Sequence, residues 1–226
     1  MEIKIFMTSK FKANNAYKDV SVARNYDMRR FTTLKGRFTD WLEKRAINNA
    51  LISSNAKFNS KVLDIPCGTG RLSIYLASQG YNVIGVDISD SMVEVSRIKA
   101  NNHIFKDKLE FLVSDATSLP FEESSFDCVV SLRLFGHVPP DIRTKMLTEF
   151  SRVSRGPLIL TYYHSGSLQC KLRKNMRQNM DIPWYPVTSM EIEKELKQIG
   201  YTIVRLNYML KHISETVVVL AMPAKY

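Results

Sequence analysis

Short apolar runs alternate with helical repeats through the middle of the chain. Five of these runs are Lys61–Ile65, Asn82–Val86, Leu109–Val113, Phe126–Ser131 and Leu158–Tyr162. Between them, apolar residues recur at spacings of three and four, as in helices that pack on one face. Strands that are apolar throughout and alternate with helices are typical of a parallel sheet with helices on both faces.

The two ends of the chain depart from this rhythm. From Val20 to Ile52 the apolar spacing predicts helix before the first strand. A helix over Ser189–Ile199 is followed by two further apolar runs, Tyr201–Tyr208 and Glu215–Met222. Their connection is so short that these two strands must pair antiparallel. We therefore predict an α/β fold with a seven-stranded, mostly parallel sheet that ends in an antiparallel C-terminal strand.

Composition and charge narrow the function classes. No apolar stretch approaches the roughly 18 residues of a transmembrane helix, and Cys67, Cys128 and Cys170 form no Cys-x-x-Cys pair. We expect a soluble, cytoplasmic protein without metal ligands. The net charge of +10 is uneven: residues 1–60 carry 12 basic and 5 acidic side chains, and residues 61–150 carry 9 and 12. The basic flanks could attract nucleic acid, anionic lipid or an acidic small molecule, or could simply be solvated.

A glycine turn follows the first strand and reads Asp64-Ile65-Pro66-Cys67-Gly68-Thr69-Gly70. Glycines at the start of a helix let the backbone approach a ligand closely. Ser73 stands where a dinucleotide fingerprint would have its third glycine, and no Gly-Lys-Ser/Thr follows, which excludes a P-loop. Asp64 would repel a pyrophosphate but suits a cationic cofactor.

The run VLDIPCGTGRLSIYLASQGYNVIGVDIS resembles the glycine-rich motif and second strand of class I S-adenosylmethionine-dependent methyltransferases. The resemblance is close over residues 55–165. It implies a Rossmann-like fold, S-adenosyl-L-methionine as cofactor and a methyltransferase activity. It also implies one domain over 1–226, with a helical cap at 1–54, a cofactor-binding core at 55–164, and a lid helix and hairpin at 165–226.

The resemblance assigns roles to individual residues. Asp87 would accept both ribose hydroxyls, Met92 would pack on the adenine ring, and Asp115 would lie near the adenine amine. In small-molecule members, a segment like Asn25–Phe31 folds over the cofactor, and Tyr26 and Arg30 would reach the methionine carboxylate. The other cofactor-binding residues are Asp64, Pro66, Cys67, Gly68, Gly70, Ile88, Ala116, Ser131 and Leu132. Each acid also has a structural interpretation: Asp87 as a helix cap, Asp115 as a turn residue and Asp64 as a partner of the glycine loop.

Methyl transfer is an in-line displacement, so alignment of the acceptor supplies much of the acceleration and a base is needed only for a tightly held proton. His137 is the candidate base, because its ordinary pKa suits proton transfer at neutral pH; packing under the next helix is the alternative. Arg133 would pair with an acidic substrate or with Asp115, and Tyr163 is a secondary catalytic candidate. The sequence Ser131-Leu132-Arg133-Leu134 lacks the Asn/Asp-Pro-Pro-aromatic pattern of nucleic-acid amino-methylating enzymes, which disfavours an exocyclic base nitrogen.

Residues 165–180 bear on the acceptor. Leu168, Leu172, Met176 and Met180 form an apolar helical stripe that either covers an acceptor as a lid or packs on the surface. Three hypotheses remain open: a small-molecule or lipid-like acceptor, a tRNA or other RNA base, and a non-catalytic module that binds a cofactor or partner. The Tyr26–Phe31 segment and the stripe favour the small molecule, and the basic flanks favour RNA.

Overall fold

The computed structural model describes residues 20–176, 183–210 and 213–224. The strands are β1 (Lys61–Asp64), β2 (Asn82–Asp87), β3 (Leu109–Val113), β4 (Cys128–Ser131), β5 (Leu158–Tyr163), β6 (Tyr201–Tyr208) and β7 (Thr216–Pro223). The helices are α1 (Val20–Phe31), α2 (Leu34–Ser53), α3 (Arg71–Ser78), α4 (Asp90–Asn101), α5 (Pro140–Val153), α6 (Leu168–Met176) and α7 (Ser189–Gln198). Short 3-10 turns span Lys106–Lys108 and Phe135–His137.

The strands form one sheet in the order β3-β2-β1-β4-β5-β7-β6. β1 lies in the interior, and its Val62 is paired in parallel with Val83 of β2 and Cys128 of β4. Only β7 runs against its neighbours: it is antiparallel to both β5 and β6. The seven-stranded, mostly parallel sheet with an antiparallel C-terminal strand is therefore confirmed.

Both faces of the sheet are buried. On β1, Val62 packs with Leu51 and Leu76 in a core beneath α2 and α3, whereas Leu63 packs with Phe150 and Ile192 beneath α5 and α7. Neighbouring residues of a strand point to opposite faces. Because helices cover both faces of the sheet, side chains on both sides of each parallel strand are apolar, and polar residues do not alternate with them.

The segment expected to be helical from Val20 to Ile52 is helical in the structure and is divided into two helices. α1 ends at Phe31, and the Thr33 side chain accepts a hydrogen bond from the Gly36 N–H at 3.1 Å, which starts α2. A Cβ on Gly36 would lie 2.1 Å from the Arg30 carbonyl oxygen, so only glycine allows this tight reversal. The break folds α1 back toward the carboxyl ends of the strands.

Helix α6, which was expected to act as a lid, turns polar side chains and not its apolar stripe toward the cavity. Leu168 and Leu172 are exposed, while Gln169 and Arg173 line the cavity below the helix. The described part of the apolar stripe, Leu168 and Leu172, therefore lies outside the cavity lining, and the Met176 side chain and Met180 lie outside the described residues. Within those residues, no helix combines the length and hydropathy needed to cross a membrane.

Candidate active site

A cavity of about 1250 Å³ opens where the parallel strands end. Asp64 closes β1, Asp87 closes β2, Leu132 follows β4 and Tyr163 closes β5, and all four line this cavity. Helices α1 and α2 form one wall. In open α/β sheets, ligands bind in this place, outside the carboxyl ends of the strands.

The glycine turn and Asp87 form one backbone-bonded unit. Gly68 and Gly70 have positive φ angles of 54° and 77°. The Gly68 N–H donates to Asp87 Oδ2 at 2.9 Å, and the Ser89 N–H donates to Asp87 Oδ1 at 3.0 Å. Burial raises the pKa of Asp87, partly offset by these hydrogen bonds. A carboxylate is thus held at the end of β2 with its orientation fixed.

Asp64 lies at the bottom of the cavity and is completely buried. Its Oδ2 accepts a hydrogen bond from the Ser73 hydroxyl at 2.6 Å, but Oδ1 has no partner within the described part of the chain. Burial raises the pKa of Asp64 to about 7. A buried carboxylate oxygen without a donor is costly for the free protein and suits a cationic ligand.

A buried ion cluster joins the cap to the core. Glu43 of α2 is 1% exposed and accepts from Arg71 Nη2 at 2.7 Å and from the Arg133 guanidinium. The Phe31 ring lies 4.4 Å from Arg71 Cζ and 5.8 Å from Arg133 Cζ. Arg71 also pairs with Asp40. One carboxylate therefore links the helix after the glycine turn to the segment after β4.

Sequence reasoning missed this cluster and gave Arg133 a different partner. Arg133 was expected to pair with an acidic substrate or with Asp115; within the protein it pairs with Glu43 and not with Asp115. A signal was present: Glu43 precedes Ile47, Ala50 and Leu51 by four, seven and eight residues, which places it on the buried face of α2.

His137 and Tyr163 form a hydrogen-bonded pair on the β4–β5 side of the cavity. His137 Nδ1 lies 2.7 Å from the Pro183 carbonyl oxygen, so Nδ1 carries the proton and Nε2 accepts from the Tyr163 hydroxyl at 3.0 Å. Burial lowers the pKa of His137 and raises that of Tyr163. Both side chains are therefore neutral near pH 7.

Buried Arg143 holds the segment that carries His137. Its Nη1 donates to the carbonyls of Phe135 and Val138 at 3.3 Å each, and Glu195 of α7 accepts from its Nε at 2.9 Å. The carbonyls on either side of His137 are thus fixed by one guanidinium. The position of His137 depends on α5 and α7 as well as on its own turn.

The wall under α6 is polar. Arg173 pairs with Glu215, which also accepts from the Trp184 indole N–H at 3.2 Å. Glu215 is only 3% exposed. Arg173, Gln169 and Glu215 line the cavity, and sequence reasoning did not single them out as site residues. Their pairing joins α6 to the start of β7, across a sequence separation that no local pattern reveals.

The structure brings most of the expected site residues to this cavity. Those that line it are Tyr26, Arg30, Asp64, Pro66, Cys67, Gly68, Asp87, Ile88, Met92, Leu132, Arg133, His137 and Tyr163. Outside its lining lie Gly70, Asp115, Ala116 and Ser131. Asp115 is exposed, and its carboxylate accepts from the Thr117 N–H and hydroxyl at 2.8 Å each, as a turn residue does.

Comparison with known proteins gives consistent matches. Residues 62–156 match the family model described as a methyltransferase domain. A demethylmenaquinone methyltransferase of Clavibacter sepedonicus is 40% identical over 94 residues, which are 41% of this chain and 36% of that protein. Another, from Beutenbergia cavernae, is 35% identical over 134 residues, or 59% and 50% of the two chains. This chain spans less than two thirds of the length of these curated relatives.

Among solved structures, the magnesium protoporphyrin IX methyltransferase of Synechocystis PCC 6803, crystallised with bound SAH, superposes with a TM-score of 0.78 at 20% sequence identity. The match covers 95% of this chain and 100% of that one. The fold is the same at low identity, and the antiparallel tail stands where the sequence resemblance requires it. Residues 62–156 therefore match a methyltransferase domain, and the chain as a whole shares the fold of this methyltransferase.

Proposed function

We propose that the protein transfers a methyl group from S-adenosylmethionine to a small, largely apolar acceptor bound in the same cavity. The observation that carries the proposal is the unpartnered Oδ1 of buried Asp64 at the bottom of the cavity. A sulfonium cofactor with an ammonium group supplies the positive charge this oxygen lacks. The volume of about 1250 Å³ exceeds the roughly 300–1,000 Å³ of a site for one drug-sized ligand, which leaves room for two molecules.

The residues at the β1–β2 side fit the cofactor. Asp87, fixed by two backbone N–H groups, keeps oxygen lone pairs for the ribose hydroxyls, and buried Met92 and Leu132 offer apolar walls for the adenine. Exposed Arg30, 5.7 Å from the Tyr26 ring, stands at the cavity for the methionine carboxylate. When bound, the cofactor supplies an electrophilic methyl group, and the chain's own residues align the acceptor and exclude water.

Tyr163 and His137 are suited to take a proton from the acceptor. As the acceptor atom gains the methyl group, its proton passes to Tyr163 Oη, and the tyrosine proton passes to His137 Nε2, 3.0 Å away. The imidazolium formed is stabilised by the Pro183 carbonyl at Nδ1. His137 therefore acts through Tyr163, because its free lone pair already points at the tyrosine hydroxyl.

Although the wall under α6 is polar, another part of the cavity lining favours an apolar molecule. Leu134, Met209, Leu210 and Ile213 belong to this part. Relatives that match part of this chain are named demethylmenaquinone methyltransferases, and that name gives a quinone as their acceptor. Both observations support an acceptor of that broad chemical class.

The test combines cofactor binding with product capture. Purified protein is titrated with S-adenosylmethionine by calorimetry, then incubated with methyl-labelled cofactor and a cell extract, and the products are separated into solvent-soluble, nucleic-acid and protein fractions. We expect binding and label in the solvent-soluble fraction, lost in Asp87→Ala and kept in the exposed control Asp107→Ala. Label confined to RNA would overturn the small-molecule acceptor, and no binding of cofactor would overturn the methyltransferase itself.

A further inference from the structure

Helix α2 carries an exposed apolar face beside the cavity. Leu34, Phe38, Trp41 and Ile52 are 86%, 53%, 50% and 64% exposed. Their spacings of four, three and eleven residues place them along one side of the helix, which we call the α2 stripe. The Phe38 and Trp41 rings stack at 5.9 Å. The opposite side of α2 is buried through Ile47, Ala50 and Leu51, so the stripe is additional to the face that holds the fold together.

Positive charge surrounds the α2 stripe. Lys35, Arg37 and Arg45 form no ion pair with any described residue, and Arg45 Cζ lies 5.1 Å from the Trp41 ring. The two acids of α2 leave this charge uncompensated: Glu43 is buried against Arg71 and Arg133, and Asp40 pairs with Arg71 and Lys44. The exposed surface therefore combines aromatic rings with net positive charge.

The α2 stripe borders the mouth of the cavity. Phe38 and Lys35 line the cavity as well as standing on the exposed helix. Leu210 and Ile213, which are 42% and 55% exposed, also line the cavity. A partner that covers the stripe would therefore contact residues that also line the cavity.

We infer that the α2 stripe docks this protein on the surface of an anionic lipid membrane. Aromatic residues with one apolar and one polar side favour the membrane interface, and basic side chains around them attract anionic headgroups. The charge complementarity favours lipid over a second copy of the chain, since two copies of this basic face would repel. Docking does not depend on the proposed methyl transfer, but together they give a lipid-like acceptor a direct path from the bilayer into the cavity.

Flotation of the full-length protein with vesicles tests the inference. We expect binding to vesicles of phosphatidylcholine and phosphatidylglycerol in equal amounts, weak binding to phosphatidylcholine alone, and release by salt. Leu34→Ser with Trp41→Ser should weaken partition about tenfold or more. Arg37→Ala with Arg45→Ala should weaken it roughly fivefold for each charge removed. The matched controls, Ile104→Ser with Val204→Ser and Lys145→Ala with Lys194→Ala, change exposed side chains elsewhere and should bind as the wild type does.

Tryptophan fluorescence provides a second readout that does not need the variants. The chain has two tryptophans, and Trp184 is buried whereas Trp41 is exposed. Brominated lipid should therefore quench Trp41 selectively. No binding to anionic vesicles, or equal binding by the stripe and control variants, would overturn the inference. So would a wild-type dimer in sedimentation equilibrium that Leu34→Ser with Trp41→Ser dissociates, or RNA binding through Arg37 and Arg45 without vesicle binding.

Discussion

Replacing Asp64 with asparagine should change the stability of the free protein and its affinity for a cofactor in opposite directions. The carboxyl group is fully buried, accepts one hydrogen bond from Ser73 and leaves Oδ1 without a partner among the described residues. Asparagine keeps the size and the acceptor for Ser73 but carries no charge. Because burial raises the pKa of Asp64 from 3.8 to about 7, ionising it in the folded protein costs free energy that the unfolded chain does not lose.

The sign and size follow from proton linkage. Between about pH 4 and pH 7 the folded protein keeps a proton on Asp64 that the unfolded chain releases, so the wild type loses stability as pH rises through this window. At roughly 1.36 kcal/mol per pH unit, the loss from this group grows by about 2 kcal/mol between about pH 5.5 and pH 8.5. The asparagine variant has no such loss. Its stability relative to the wild type should therefore improve by about 2 kcal/mol over that range.

Urea unfolding of both proteins without cofactor, at about pH 5.5 and pH 8.5, measures this quantity. Any packing cost of the asparagine amide is the same at both pH values and cancels in the comparison, as do the other titrating groups. Calorimetry should show the opposite effect on function: cofactor affinity of the wild type rises by up to about tenfold per pH unit below pH 7, while Asp64→Asn binds weakly at every pH. An unchanged stability difference at the two pH values would refute the raised pKa, and strong cofactor binding by the variant would refute the proposed role of Oδ1.

Three further substitutions test other parts of the site. Asp87→Ala should weaken cofactor binding at least about tenfold by calorimetry, since ribose hydrogen bonds to a carboxylate contribute roughly 1.5–3 kcal/mol; unchanged affinity would remove the ribose assignment. His137→Ala should lower turnover with little change in cofactor affinity, and normal turnover would leave His137 as a packing residue. Glu43→Gln should lower the free energy of unfolding by about 3 kcal/mol, because it leaves two arginines without their buried partner. The exposed pair of Glu193 and Lys197 supplies the control: Glu193→Gln should change it by less than about 1 kcal/mol, and equal losses would contradict the buried cluster.

The strands could be predicted from the sequence because each parallel strand is buried on both faces. Val62 and Leu63 pack into the two different cores, so both must be apolar. The resulting apolar run is sufficient to predict β1 from the sequence. The break between α1 and α2 could not be predicted in the same way. Apolar spacing continues through Thr32 and Thr33, and the reversal depends on the close approach of Gly36 to the Arg30 carbonyl.

Site residues at the ends of strands could be predicted from the sequence. Site residues held by ion pairs to partners far away in the sequence could not. Asp64 and Asp87 follow successive strands of a parallel sheet, so their convergence follows from topology. Arg173 lies 42 residues from its partner Glu215, and no local pattern links them. The apolar stripe of α6 misled for a related reason: the pairing with Glu215 turns Arg173 toward the cavity and leaves Leu168 and Leu172 outside.

The backbone conformation of Arg133 and its ion pair with Glu43 together hold the segment after β4 in place. Its φ angle of +62° lies in the left-handed region that favours glycine, a conformation that costs an arginine roughly 1–2 kcal/mol. Glycine would relieve this strain but could not reach Glu43. The Arg133 N–H donates to the Thr161 hydroxyl at 2.7 Å while its guanidinium binds Glu43, so the strained residue ties the segment after β4 both to β5 and to the cap. Since Glu43 also holds Arg71 beside the glycine turn, the glycine-turn side and the β4–β5 side of the cavity are fixed by the same carboxylate, and α2 cannot move away from one without releasing the other.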